Sequence, residues 1–525
     1  MRLWNKLFSV PREAAMKYRP LIGLEIHAQI ITRFPKDLFL KKMMRGAASL
    51  ACITFRTKLF SAAAFDDDAH ANSSVALFDM AIPGTLPVLN KTALMKGITA
   101  GLLLNCTIPE RCQFVRKHYF YADMPAGYQI TQQDHPIAHS GFFEFYVHCN
   151  DESFVPYKKR VDILRIQLEH DSGRTIHDFS NNRSLIDLNR AGVGLLEIVT
   201  SPSMNSALEA YCFTQQLRLT LMENSLCGGE MQKAQFRVDV NISLGKNNSD
   251  DRSVRTEIKN LNSLRMVRTV VNSEIDRQYE ILKAGGTVLN ETLTVDRDGH
   301  TIAMREKEIE TDYRFMPEPN LPPVHIKREW IENCRSMLSK PRYLKNIEEY
   351  GMEPEVALQI ANQKTLAAFV EMVLNTCNDA TMASVFVEWT YLLQTICRNC
   401  NKRFPSSRTV FVNHFVEVVH LYHTKRLTRL TTFDLLRRYV ETELDKSATE
   451  IINNENLWRV QDKDEIMQIV EKVVRENDKL VIKIQKSGAK RHITKLRTAV
   501  LNECNRRIEA DEISEIIRQK LLPGS

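Results

Sequence analysis

The sequence predicts an α+β protein, with a mixed α/β amino-terminal region built on a largely antiparallel sheet and an all-α carboxy-terminal region. Three observations predict it. Segments such as "LIGLEIHAQI", "FRVDVNISL" and "VRTEIKNL" alternate apolar and polar residues and are parted by Gly, Pro and Asn turns. "ALEAYCFTQQLRLTLMENS" is an amphipathic helix set among them. Prolines accumulate in "FMPEPNLPPVHI", and past residue 325 helical periodicity takes over.

Size and composition bound the rest. A chain of 525 residues exceeds one ordinary core, so two or three domains are expected. With 43% apolar and 26% charged residues it reads as a globular protein, and its net charge of +7 suits a polyanionic partner without requiring one. No run approaches the roughly 18 to 20 apolar residues that span a bilayer, so no membrane partner is expected. Eleven cysteines, mostly isolated, point to a reducing compartment and free thiols. Cys397 and Cys400 with His414, His420 and His423 approach zinc-finger spacing, but "HFVEVVHLYH" sets its histidines among apolar residues as a packed helix does, and no zinc is expected.

At the amino terminus, Arg2, Lys6, Arg12, Lys17 and Arg19 face the single acid Glu13, with Leu3, Trp4, Leu7 and Phe8 as an apolar stripe. Residues 1–19 resemble a mitochondrial presequence, and a plain tail is the other reading. In "GLEIHAQ", Glu25 and His27 share one strand face while Leu24 and Ile26 share the other. In "RIQLEHDSGR", Leu164, Ile166 and Leu168 are expected on one face and Arg165, Gln167 and Glu169 on the opposite one, with His170 turned away. Asp171, in turn chemistry, is expected to bond its own backbone. A metal site, a set of catalytic acids and a solvated strand end all stay open for this stretch.

Glu197 interrupts the apolar run "GVGLLEIVTSP", and burying it requires a cation nearby. "FRVDVNIS" aligns Arg237, Asp239 and Asn241 against Val238, Val240 and Ile242, and "TEIKNLNS" aligns Glu257 with Lys259. Arg237 could meet a phosphate or pair with Glu257. A hard divalent cation such as Mg2+ would satisfy several of these carboxylates at once, whereas ion pairs along an exposed sheet face would satisfy them without one. There is no G-x-x-x-x-G-K-[ST] loop, G-x-S-x-G elbow or convincing G-x-G-x-x-G, so nucleotide chemistry here avoids the P-loop.

Farther on, "DKDEIMQIVEKVVREN" puts Ile466, Ile469, Val470 and Val473 on one helix face, and "DEISEIIRQKLL" does the same with Ile513, Ile516, Ile517 and Leu521. Between them, residues 479–507 hold nine Lys or Arg against the single acid Glu503, which fits a solvated face or contact with a nucleic-acid backbone.

Eight segments, "LIGLEIHAQI", "IPGTLPVLN", "RKHYFYADMPAGYQITQ", "IQLEHDSGRTIH", "SLIDLNRAGVGLLEIVTSP", "RVDVNIS", "EIKNLNS" and "DYRFMPEPNLPP", occur in the order found in the B subunit of glutamyl-tRNA(Gln) amidotransferase. The chain resembles that GatB family, in its mitochondrial type, over nearly everything after residue 20. The resemblance implies a catalytic cradle domain over 20–325 with an insertion at about 33–56, a helical domain over 326–445 and a YqeY-like, tRNA-binding tail over 446–525. It implies a carbon–nitrogen ligase, glutaminyl-tRNA synthase with glutamine as amido donor. With ATP and Mg2+ the enzyme phosphorylates the glutamate carried on tRNA(Gln), and ammonia then displaces the phosphate. It implies a heterotrimer with a GatA-like glutaminase and a GatC-like small subunit, in the mitochondrial matrix.

By the same resemblance Glu25, His27, Glu169, Glu197 and Asp239 form the catalytic set, His27, Glu169 and Glu197 hold the metal, and Lys117, Tyr119 and Arg237 bind substrate or nucleotide. The chain departs from the family at His170, where bacterial relatives carry a second Glu, and at His118, where Asn is usual. It reads "LFDMAIPGTLPVLN" where some relatives have zinc-binding cysteines, so no zinc is expected there. A noncatalytic tRNA-binding or assembly protein of the same descent is the alternative, as is a metal-dependent phosphatase using the same carboxylates.

Overall fold

In the computed structural model, alternation does shape the amino-terminal part: Ile22, Leu24 and Ile26 face a core while Glu25 and His27 face the other way on strand β1, Tyr18–Gln29. The residues described are 18–32, 56–66, 68–149, 151, 153–246, 252–295, 301–306, 313–377, 379–404, 409–442, 446–487 and 489–522. The presequence-like segment through residue 17 and residues 33–55 of the expected insertion lie outside them. The chain divides into two units, Met1–Pro341 and Arg342–Ser525.

The first unit is built on an eight-stranded sheet. Its other strands are β2 (Ala138–Val147), β3 (Tyr157–His170), β4 (Gly194–Thr200), β5 (Phe236–Lys246), β6 (Thr256–Leu261), β7 (Glu291–Val295) and β8 (Thr301–Glu306), in the spatial order β8-β7-β6-β5-β1-β4-β3-β2. Every pairing is antiparallel except β6 with β7. Helices α1 (Lys91–Leu103), α2 (Ala207–Glu223) and α3 (Leu264–Lys283) pack on its strands, and their buried side chains join Ile26, Leu168, Leu196 and Val238 in one core. Each helix starts at a polar cap: Asn90 accepts from the Thr92 amide at 2.9 Å, Ser206 from Glu209 at 3.1 Å and Ser263 from Met266 at 3.1 Å. Such caps stabilise by about 1 kcal/mol each.

One strand departs from simple alternation. Arg165 pairs with Val199, but the next pair is Ile163 with Thr200, so β3 carries a bulge. Leu164 is the extra residue and stands 50% exposed, and Val161 and Ile163 take the core side instead. The expectation that Leu164 shares a face with Ile166 and Leu168 is therefore corrected.

A smaller sheet joins Val115–His118 to Tyr128–Thr131 and to Met316–Pro317 of the proline-rich segment. Arg116 fastens that segment by two bonds to the buried Glu318, at 2.6 and 3.0 Å, while lying 4.2 Å over the Tyr128 ring. Helix α4, Arg328–Ser336, then packs against α1 within the first unit.

The second unit is helical throughout its described residues. One hydrophobic cluster runs from Phe369 to Ile452 and another from Val460 to Leu521. In helix Lys463–Glu476, Ile466, Val470 and Val473 are buried, as are Ile513, Ile517 and Leu521 in helix Ala510–Leu521, following the helical period. Between them Lys483, Lys486, Lys490, Arg491 and Lys495 are exposed, and desolvation, followed by the charges of Arg491, Lys483 and Lys495, depresses the proton affinity of His492. Cys397 is buried in the first cluster, Cys400 bonds Glu441 at 3.5 Å and the His414 ring stacks 4.7 Å from that of Tyr439. Among the described residues no helix is long and apolar enough to cross a membrane.

Candidate functional site

Antiparallel register places directly opposed side chains on the same sheet face, and here it sets polar residues in rows across the central strands. Gln167 of β3, Glu197 of β4, His27 of β1 and Arg237 of β5 form one row. Arg165, Val199, Glu25 and Asp239 form the next, and Glu169, Leu195 and Gln29 flank the first on its other side. Glu25, His27, Glu169, Glu197, Asp239 and Arg237 thus share one face, opposite the helices.

Two groups of side chains emerge on this face. In the first, His27 Nε2 lies 3.6 Å from Glu169 Oε1, and the Thr131 hydroxyl donates to Glu169 at 3.4 Å. Burial, and then the field of Glu197, push the Glu169 carboxyl up to about 8, against which Lys117 pulls only partly. Burial also drives the His27 imidazole down to about 4, although Glu197 opposes this. Glu197 itself is only half-buried, so the burial that would require a cation beside it is not found. Lys117, from the small sheet, stacks 4.6 Å over the Tyr313 ring, and Tyr119 packs edge-on to Tyr313 with its phenol held protonated by burial and by Glu169 and Asp171.

In the second group, carboxylate oxygens of Glu25, Asp239 and Glu257 all lie within 4.8 Å of one another. The Asn241 amide donates to Glu25 at 3.0 Å and leaves its own buried carbonyl oxygen without a hydrogen bond. The Asn260 amide donates to Asp239 at 2.8 Å, yet burial still raises the Asp239 carboxyl. Lys259 approaches Glu257 to 3.5 Å. Among the described residues only the second group brings three ligand atoms within 4.8 Å of one another, and its three carboxylates with an amide oxygen fit a hard divalent cation; in the first, a neutral imidazole nitrogen lies beside Glu169, and Glu197 shares the face without closing into the same ligand set.

Glu257 and Asp171 enter the site although the resemblance assigns neither of them a role. Glu257 reaches the second group because β6 pairs opposite Asn241. Asp171 accepts from the Ser172 amide at 3.0 Å, as turn chemistry suggests, but it is also buried and bound to Arg237 at 3.1 Å with Arg190 at 3.4 Å. Arg237 accordingly pairs with Asp171, not with Glu257, which corrects that expectation. His170 turns to the opposite side of β3, where its Nδ1 accepts from the Ile130 amide at 3.1 Å and its ring meets Phe60 edge-on.

Beside Asp171 lies a cavity of about 300 Å3, walled by Ile82, Thr85, Met124, Tyr128 and His170 among others. Its far wall, the loop before α1, is held by a buried ion pair: Lys58 Nζ meets Asp79 Oδ2 at 2.8 Å with both side chains almost fully shielded. Gly192 closes on that pair at φ +84, and a Cβ there would come within 2.7 Å of Asp79 Oδ1.

The family model of the GatB/GatE catalytic domain matches residues 50–332, and that of the GatB domain matches residues 367–521. The chain is 34% identical over 521 residues to the mitochondrial B subunit of glutamyl-tRNA(Gln) amidotransferase of Danio rerio, covering 95% of this chain and 89% of that protein. The protein of the same description from Homo sapiens is 34% identical over 529 residues, covering 97% and 90%. The B subunit of the aspartyl/glutamyl-tRNA(Asn/Gln) amidotransferase of Orientia tsutsugamushi (strain Ikeda) is 34% identical over 472 residues, covering 89% of each.

Proposed function

The chain belongs to the GatB family of tRNA amidotransferase B subunits, and from that premise we propose that it converts glutamate carried on tRNA(Gln) to glutamine using ATP and Mg2+, in the mitochondrial matrix. The observation that carries this reading is the gathering of His27, Glu169, Glu197, Glu25, Asp239 and Glu257 on one face with too little positive charge to balance them.

The chemistry needs such a face. A carboxylate is a poor electrophile; transfer of the γ-phosphoryl group to the glutamate side-chain oxygen breaks the bond to ADP and supplies a leaving group. Ammonia then adds to the acyl carbon, loses a proton and expels phosphate, leaving the amide. Lys117, held against Tyr313, is placed to meet phosphoryl oxygens, and Arg237 is oriented by Asp171 beside the first group. His27, Glu169 and Glu197 would hold one Mg2+, and Glu25, Asp239 and Glu257 offer a second position. When bound, a divalent cation there offsets the charge that gathers on the phosphoryl oxygens. Because Glu169 and Asp239 are buried, the same face limits water that would hydrolyse an acyl phosphate.

Ammonia would come from a GatA-like glutaminase steadied by a GatC-like small subunit, and the basic helices of the tail, residues 446–525, would dock Glu-tRNA(Gln). The position of His170 favours the catalytic reading over a disabled relative: its departure from the family residue falls on the core side and leaves the polar rows intact. The test is transamidation of Glu-tRNA(Gln) by the chain reconstituted with its two partner subunits, with and without ATP and Mg2+. Glutamine on tRNA only when both are present supports the reading, and Glu169→Gln and Asp239→Asn should each abolish it while partner binding persists. Normal rates in both variants would sink the site assignment.

A further inference from the structure

Lys259 stands beside the Glu25, Asp239 and Glu257 group, 3.5 Å from Glu257. Carboxylates packed this closely on a buried face favour the ionised state only in company with positive charge. The ammonium is nonetheless no fixture of the core, because its side chain is 39% exposed on a flexible stem. Tyr313, whose ring Lys117 overlies at 4.6 Å, is also within its electrostatic reach.

We propose that Lys259 is the resident cation of the Glu25, Asp239 and Glu257 group, that it yields that place to a divalent cation, and that it then binds the phosphates of the incoming nucleoside triphosphate. This hand-over rests on the phosphoryl-transfer reading above. A doubly charged ion and an ammonium repel one another at this range, so the ion enters only as Lys259 leaves. Phosphate oxygens give the departing ammonium a new partner, with Lys117 a second cation near Tyr313. Metal and nucleotide then assist one another's binding, and the assistance is reciprocal. Lys259 is a positioning residue that arranges the order of loading.

The test uses the full-length chain with Mn2+ as the probe ion, followed by electron paramagnetic resonance, and a fluorescent nonhydrolysable ATP analogue. Without nucleotide, Lys259→Gln should bind Mn2+ about tenfold more tightly than wild type, the effect of removing one partly screened charge. The same variant should lose most of the mutual tightening between Mn2+ and nucleotide, and Lys259→Arg should behave as wild type. Glu257→Gln should weaken Mn2+ binding, which places the ion at this group. Equal or weaker Mn2+ binding by Lys259→Gln overturns the proposal, as does unchanged binding by Glu257→Gln. Coupling that survives Lys259→Gln overturns the role of Lys259 alone, whereas independent binding of Mn2+ and nucleotide in wild-type protein overturns the functional reading and the hand-over with it.

Discussion

Glu169→Gln should stabilise the metal-free protein in alkaline solution, and only there. Burial and Glu197 raise the folded-state carboxyl from 4.5 to about 8. A raised value means that the folded state holds its proton more tightly than the unfolded chain does. The stabilisation this gives is complete below about 4.5 and disappears as pH climbs through about 8. At about 1.36 kcal/mol for each tenfold change in proton affinity, the upper bound is about 5 kcal/mol. Sharing of charge with Glu197 and local relaxation reduce this to about 2 kcal/mol, or roughly 3 °C in the first unit's melting temperature.

Glutamine carries no charge at any of these pH values, so the variant escapes the alkaline loss. Differential scanning calorimetry in EDTA at pH 5 and pH 9 should show near-equal transitions at pH 5 and a higher one for the variant at pH 9. Adding Mg2+ at pH 8 should reverse the order, because only the wild-type carboxylate then gains a partner. A variant that melts lower than wild type at pH 9 without metal would refute the claim that Glu169 is short of countercharge.

Lys58→Met should destabilise the first unit by about 3 to 5 kcal/mol in urea unfolding, since it leaves Asp79 charged and buried, and the double change Lys58→Met with Asp79→Leu should recover much of that loss; an additive double variant would contradict a coupled pair. Asp171→Asn should weaken both stability and proposed amidation by releasing Arg237, and an unchanged urea midpoint would show that the Arg237 bond contributes little. Gly192→Ala should lower the melting temperature, measured by circular dichroism, because it combines a positive φ with a contact on Asp79. Joint Lys490→Glu and Lys495→Glu replacement should weaken tRNA binding and flatten its salt dependence in filter-binding titrations; an unchanged slope would remove those helices from the docking surface.

Local periodicity makes much of the fold legible. β1, β5 and the last helices follow apolar spacing that one strand or helix can display by itself, whereas α2 buries Cys212 through Leu217 in an unbroken run, Thr214, Gln215 and Gln216 included, against the amphipathic pattern its sequence suggests. Leu164 defeats that reasoning because a bulge belongs to the pairing of β3 with β4 and leaves no mark on β3 alone. Asp171 looks like a turn residue because the arginine that buries it lies 66 positions away. Glu257 is legible as a polar-face residue, but its company with Glu25 depends on β5 pairing with β1 on one side and β6 on the other. Polar alternation points to a charged face, whereas the roles assigned to its members come through the family resemblance.

The placement of β1 also has a cost during synthesis. Its two neighbours, β4 and β5, are both made long after it, and the bond between Glu25 and Asn241 spans 216 residues. At about 5 to 20 residues per second, β1 waits roughly 10 to 40 seconds for its last neighbour. Through that interval Ile22, Leu24 and Ile26 and two open strand edges are available to other nascent chains. High contact order of this kind slows folding and makes aggregation the main hazard before the strand is enclosed. Chaperone protection of the growing amino-terminal half should therefore govern yield more strongly than the final stability of the sheet.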